Sequence, residues 1–257
     1  MIHPTAIVHP GAKLAPDVQV GAYTIIGEHV EIGPGTSVGP HAVITGRTRI
    51  GCGNRIFQFV SLGEIPQDKK YGGEPTRLEI GDHNTIREFC TFNIGTAQDV
   101  GVTRVGDHNW IMAYVHLAHD CQVGSHTVLA NLVALAGHVA IHDHVILGGG
   151  AMVHQFCRIG VHAFVAGGSI VLRDVPPYVM AGGSASAEPH GINTEGLRRR
   201  GFNPGAIESI RKAYKVLYRT GLGFEEAKQA IAEQAREAPE LQVMVDFLAS
   251  STRGVIR

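Results

Sequence analysis

A six-residue repeat constrains this chain more than any other feature. Stepping by six from Ile2 gives Val8, Leu14, Val20, Ile26, Ile32, Val38, Ile44, Ile50, Ile56 and Leu62, all aliphatic. The register lapses over 64–79, returns at Ile80, Ile86 and Phe92, lapses again over 95–104, and then runs unbroken from Val105 to Val171. A period of six suits neither an amphipathic helix nor an alternating meander. It suits a parallel β-helix, in which each hexapeptide is one short strand and a turn. The residue four places after each aliphatic is usually small or β-branched, as in Ala12, Val18, Thr24, Val30 and Thr36. It precedes the next aliphatic by two, so strand alternation sends both inward. Glycine commonly follows the aliphatic position (Gly21, Gly27, Gly33, Gly39, Gly51), where it is expected to relieve crowding at a bend. Three hexapeptides close one 18-residue coil, so residues i and i+18 stack about 4.8 Å apart.

Composition agrees with a coil of this kind. Glycine is 33 of 257 residues, aromatics are 6% and there is one Trp, so a core of interlocked large side chains is not expected. The net charge of −1 argues against a nucleic-acid binder. No apolar run is long enough to span a membrane, and the N-terminus lacks the regions of a signal peptide, so a cytoplasmic protein is expected. Cys52, Cys90, Cys121 and Cys157 are too widely spaced for a zinc ribbon or redox motif and are expected to be small buried residues. Three of them, Cys90, Cys121 and Cys157, fall at the small inner slot.

Two domains are expected: a β-helix over 1–190, with excursions at 64–79 and 95–104, and a helical domain over 191–257. Pro176-Pro177 is expected to end the coils. Asn203-Pro204 reads as an N-cap followed by a helix-starting proline. Ile207, Ile210, Tyr214 and Leu217 then share one helical face, with further helices from Phe224 and over 240–249. The last 67 residues hold 11 basic and 8 acidic side chains, whereas the first 190 hold 11 and 15. A basic stretch over 197–219 could receive an acidic partner or a phosphate.

Most of the 15 histidines fall three places after an aliphatic position, where a solvated corner is expected: His29, His41, His83, His108, His126, His138, His144 and His162. His119 differs by what stacks with it. One coil above it is Gly137, two coils above is Gln155, and Asp120 lies one coil below His138. An imidazole able to act as general base and a glycine amide able to hold an oxyanion thus meet on one edge.

The motifs GDHNTIRE (81–88), AHDCQVGSH (118–126), LAGHV (135–139), VHQFCRIG (153–160), DVPPYV (174–179) and GLRRRGF (196–202), with the loop QDKKYGGEPTR (67–77), resemble those of the UDP-N-acetylglucosamine O-acyltransferases of lipid A biosynthesis. The resemblance spans the chain and implies a left-handed β-helix, although the crossover rule alone favours the right hand. It implies transfer of a long-chain 3-hydroxyacyl group from acyl carrier protein to the 3-hydroxyl of UDP-GlcNAc, without a cofactor or metal, in clefts between the subunits of a homotrimer. Carried over by position, His119 is the general base, Asp120 its partner and Gly137 the oxyanion donor. Asp68, Lys70, His116, His138 and Gln155 line the sugar cleft. His154, Asn193, Glu195, Arg199 and Arg200 contact uridine and phosphates. Gly167 stands where side-chain size limits acyl length.

One departure stands out: Phe92-Asn93-Ile94-Gly95-Thr96 replaces the family's Ile-His-Arg-Gly-Thr, removing two cleft residues. This raises the alternative of a 3-amino sugar as acceptor. A second departure, Gly183-Ser184-Ala185, carries no chemistry. The related N-acyltransferase of the same pathway needs a preceding uridine-binding domain, for which repeats starting at Ile2 leave no room. A γ-type zinc carbonic anhydrase, which shares the coil and needs three histidine ligands, and a non-catalytic scaffold are the remaining rivals.

Overall fold

A computed structural model describes residues 1–257. The repeat becomes three flat parallel sheets wound as one stack. The first face has nine strands beginning at Ile7–Val8, the second eight beginning at Lys13–Leu14, and the third ten beginning at Gln19–Val20. The chain visits the faces in that order. Most strands are two residues long, and their partners are 18 residues apart: Ile26 pairs with Ile44, and Leu117 with Leu135. The aliphatic columns fill the interior, with Ile44, Leu62, Ile86, Leu117 and Leu135 fully buried. Burying each such side chain contributes about 1.5–3 kcal/mol.

The two lapses in the repeat are insertions that keep the stacking phase. Ile50 pairs with Ile80, and Ile80 with Val105, so the spacing lengthens and the columns continue. Strands Arg77–Ile80 and Val102–Val105 take back the ends of the expected excursions, which therefore span 65–76 and 94–101. Both insertions leave the first face and rejoin at the second, so both emerge at the same corner of the triangle.

The corners bear out one expectation, glycine relieving crowding, and refine another. Gly63 (φ +83°) excepted, the glycines after the aliphatic residues do not adopt left-handed backbone; a Cβ on Gly21, Gly33 or Gly148 would come within 2.5–2.8 Å of backbone in the next coil. Their role is close stacking. Left-handed backbone falls two residues later, where fifteen non-glycine residues have φ near +60°, among them His41, His83, Asp120 and His138. The histidines there are also not simply solvated. His83, His108, His126, His144 and His162 form one continuous stack with ring centroids 4.6–5.0 Å apart, at the corner between the second and third faces. Tyr23, His41, Phe59, Phe89 and Tyr114 form a second stack between the third and first faces.

Cys90, Cys121 and Cys157 are fully buried, and burial pushes the first two thiols up to about 12 and the third to about 11. Cys52 is instead exposed. Pro176-Pro177 does not end the coil: Val179–Gly182 continues the third face, and Glu188–Ile192 then folds back antiparallel to it. Four helices follow: α1 (Thr194–Arg199), α2 (Pro204–Tyr218), α3 (Phe224–Ala235) and α4 (Gln242–Ala249), the last entered through a 3-10 turn over Pro239–Leu241. The Asn203 side chain accepts from the Ala206 N–H and caps α2, which buries Ile207, Ile210, Tyr214 and Leu217.

Candidate active site

The corner between the first and second faces gathers most of the predicted residues. His119 follows strand His116–Leu117 by two residues, and Asp120 takes the left-handed position after it. That turn brings His119 Nδ1 to 3.0 Å from Asp120 Oδ2. Asp120 is 1% exposed, and its carboxylate accepts from the Thr96 N–H at 3.0–3.1 Å and from the Thr96 hydroxyl at 2.6 Å. A buried carboxylate can only accept; Thr96 meets part of that demand, and the rest orients the imidazole. The other ring nitrogen, Nε2, is left for chemistry.

Gly137 lies directly above. A Cβ there would stand 2.6–2.7 Å from His119 Cε1 and Nε2, so the ring sits where a side chain would be. The Gly137 N–H donates to no protein acceptor. His138 packs edge-on to His119 with centroids 4.9 Å apart, and its Nδ1 lies 2.6 Å from Asp99 Oδ2, delivered by the 94–101 insertion. Phe156 stacks on His138 at 4.4 Å, and Gln155 and His154 occupy the exposed rung there. His116 sits on the first face just before the corner, paired with Thr91 Oγ1 at 2.8 Å, and burial pushes its pKa down. The 65–76 insertion carries Asp68, whose carboxylate accepts from the Lys70 N–H, and leaves the Lys70 ammonium in solvent without an acidic partner.

The remaining residues lie elsewhere on the same chain. Asn193 caps α1 by accepting from the Gly196 N–H and donates to the His162 carbonyl, which fixes it at the corner of the histidine stack. Glu195 pairs with Arg199 on the exposed side of α1, and Arg200 ends that helix. Gly167 is on the third corner, exposed, with Gly149 O 3.1 Å from where its Cβ would be. Asn93 and Ile94 do not open the cleft. Both are buried, and Asn93 Nδ2 donates to the Ile65 carbonyl at 2.9 Å, fastening one insertion to the other. A cavity of 770 Å³ runs along the second face past Arg49, Glu79 and His142, and none of the predicted residues lines it.

His119, Asp120 and His138 bring polar atoms within 4.8 Å of one another, a grouping that could suit a metal. The donor set does not fit the three-histidine zinc site: both imidazoles turn Nδ1 toward carboxylates, and Asp120 is occupied by Thr96. Thr96 and Asp99 were not among the sequence candidates. The signal for them was weak: a Gly-Thr at the root of an insertion and one acidic residue within it.

Comparison with known proteins decides the family. A curated acyl-[acyl-carrier-protein]–UDP-N-acetylglucosamine O-acyltransferase from Thiobacillus denitrificans is 61% identical over 256 residues, covering 100% of this chain and 99% of the relative. The chain belongs to the UDP-N-acetylglucosamine O-acyltransferase family. A relative of the same name from Neisseria gonorrhoeae is 59% identical over 257 residues, with 100% and 99% coverage. The solved Francisella novicida UDP-N-acetylglucosamine acyltransferase superposes with TM-score 0.98 at 47% identity, covering 100% of this chain and 94% of that one. LpxA from Acinetobacter baumannii gives 0.97 at 49%, with 100% and 99% coverage. The model for domain 2 of UDP-N-acetylglucosamine O-acyltransferase matches residues 174–256, and the bacterial transferase hexapeptide model matches 11–46 and 103–137. As an O-acyltransferase of this family the chain is an enzyme on a left-handed parallel β-helix, and the relatives speak for oxygen rather than nitrogen as the acceptor atom. No helix is long and apolar enough to cross a membrane.

Proposed function

We propose that the enzyme transfers a long-chain (R)-3-hydroxyacyl group from acyl carrier protein to the 3-hydroxyl of UDP-GlcNAc, with His119 as general base. The observation that carries this reading is the Thr96–Asp120–His119 relay seated on Gly137. In this reading His119 Nδ1–H donates to Asp120, and Nε2 takes the proton of the sugar 3-hydroxyl. The freed oxygen attacks the thioester carbonyl, and the Gly137 N–H holds the resulting oxyanion. Collapse breaks the carbon–sulfur bond, and the departing thiolate takes the proton back from the imidazolium. The chain's own residues supply every step, so no metal or cofactor is called for.

Asp68, Lys70, His116, His138 and Gln155 would then hold the sugar at this corner, while Asn193, Glu195, Arg199 and Arg200 would serve uridine and phosphate. Those two groups occupy different corners of one coil stack, and Gly167 a third. A homotrimer with each site in a cleft between subunits supports one site from all three. Gly167, exposed and stacked on exposed Gly149, leaves a groove open for a long chain. The exposed basic residues of α1 and α2 suit an acidic carrier protein.

A product assay tests the reading. Purified enzyme is given UDP-GlcNAc with 3-hydroxyacyl carrier proteins of graded length, and Gly167→Met is run alongside. Product with long chains, and a shift to shorter chains in the variant, is expected. Absence of product on UDP-GlcNAc from a folded trimer would sink the assignment of acceptor.

A further inference from the structure

The C-terminal segment does more than close the coil. Asp174 is the top rung of the column that also holds Asp120, His138 and Phe156, and it is 1% exposed. It binds the last residues of the chain from both sides. Its carboxylate accepts from the Ser251 hydroxyl at 2.7 Å and from the Arg158 N–H at 2.9 Å. Its backbone N–H donates to the Gly254 carbonyl, and its own carbonyl accepts from the Ile256 N–H. Arg158 adds two bonds to Ser250, each 3.0 Å, and lies over the Phe247 ring. Residues on both sides of Arg253 are therefore pinned to the candidate corner, and a turn between them presents this one side chain.

Arg253 reaches down that corner to His154, with a guanidinium N–H 3.4 Å from His154 Nδ1. It is exposed and has no carboxylate partner. His154 Nδ1 also lies 3.2 Å from the Gln155 carbonyl, so the imidazole is held at this rung from two sides while the rest of the guanidinium stays free. His154 stands two coils above Ala118, next to His119, which puts this pair roughly 10 Å up the edge from the base. That span matches a hexose ring followed by its anomeric phosphate.

We infer that Arg253, together with His154, is a phosphate-binding residue for the diphosphate of the nucleotide sugar, supplied by the chain that carries the base. The inference rests on the proposed function, since the ligand is that reading's acceptor. A planar fork of donors without an internal carboxylate suits phosphate oxygens, and a lysine would give one point charge without the second bond. Two phosphates are available in the reaction, the nucleotide's and that of the carrier's pantetheine arm, and the test separates them.

UDP binding is measured by calorimetry, and KM for UDP-GlcNAc and for the acyl carrier protein by initial rates, on wild type, Arg253→Ala and Arg253→Lys. Loss of a charge-assisted pair predicts UDP binding about 10- to 100-fold weaker in the alanine variant, with partial recovery in the lysine one. KM for UDP-GlcNAc should rise in step, kcat should change less, and the melting temperature should hold because the side chain is exposed. UDP affinity equal to wild type would overturn the inference. A rise confined to the KM of the acyl carrier protein would overturn it too, by giving the phosphate to the donor. Wild type that neither binds UDP nor acylates UDP-GlcNAc would remove the proposed function and this inference with it.

Discussion

Two corners of the same coil use histidine in opposite ways. At the corner between the second and third faces, imidazoles face imidazoles, and His83, His108, His126, His144 and His162 form a stack. At the corner between the first and second faces, imidazoles face carboxylates: His119 faces Asp120 and His138 faces Asp99. The backbone is the same at both, since His126, His144, Asp120 and His138 all have φ near +60°. What differs is what the sequence inserts below. Both excursions leave at the second of these corners, and the 94–101 segment delivers Thr96 and Asp99. A stack of rings needs only its own period. A relay needs a donor or acceptor from outside the period, and an insertion provides it.

The sharpest way to break the comparison is to remove one ring from each corner. His119→Ala should lower kcat by about 10³-fold, within the usual span for loss of a positioned base. His126→Asn, which tolerates the left-handed backbone, should leave kcat within about 2-fold. Steady-state rates with matched melting curves decide it. Comparable losses at both positions would mean that the carboxylate-facing corner is not special. Next in size is Gly137→Ala. Its methyl would stand 2.6 Å from the His119 ring and must push it aside. A drop in kcat of about 10²-fold is expected, the scale of a displaced oxyanion donor.

The coil was legible in the sequence because a period of six repeats one physical instruction many times. The aliphatic columns, the three buried cysteines and the stacking of His119 under Gly137 all follow from adding 18. Where the period is interrupted, addition fails. The pairing of Ile80 with Val105 depends on the length of the excursion, so the meeting of Thr96 with Asp120 could not be counted out. The solvated-corner reading holds for His29, His41, His83, His108 and His126, which are exposed, and fails for buried His162; it also missed the stack, because adding 18 to His108, His126 and His144 lands on histidine each time, yet alternation alone does not say that flat rings 5 Å apart will stack. Asn93 and Ile94 were read as losses from a cleft, yet both are buried, and Asn93 ties the two insertions together through Ile65. The proline pair at 176–177 looked terminal, yet Tyr178 continues the column of rings and Val179–Gly182 continues the third face.

The smallest expected effect separates the corners by pH. Burial, then the neighbouring His144 and Arg200, pushes the pKa of His162 down to about 4, against a weak opposing pull from Asp143. His144 and His142 are lowered in the same sense, burial being the main cause for each. A histidine whose folded pKa lies below its unfolded value favours folding while neutral. Its contribution is complete above about pH 6.5 and is lost as pH falls toward 4, because the unfolded chain takes the proton first. Urea melts at pH 7 and pH 4.5 should therefore differ by about 2 kcal/mol more in wild type than in His162→Asn, once the shift is discounted for partial exposure. The asparagine keeps the left-handed turn, so the variant tests the proton and not the backbone. Equal acid sensitivity in the two proteins would show that the stack bears protonation without cost, and the contrast between the corners would then rest on activity alone.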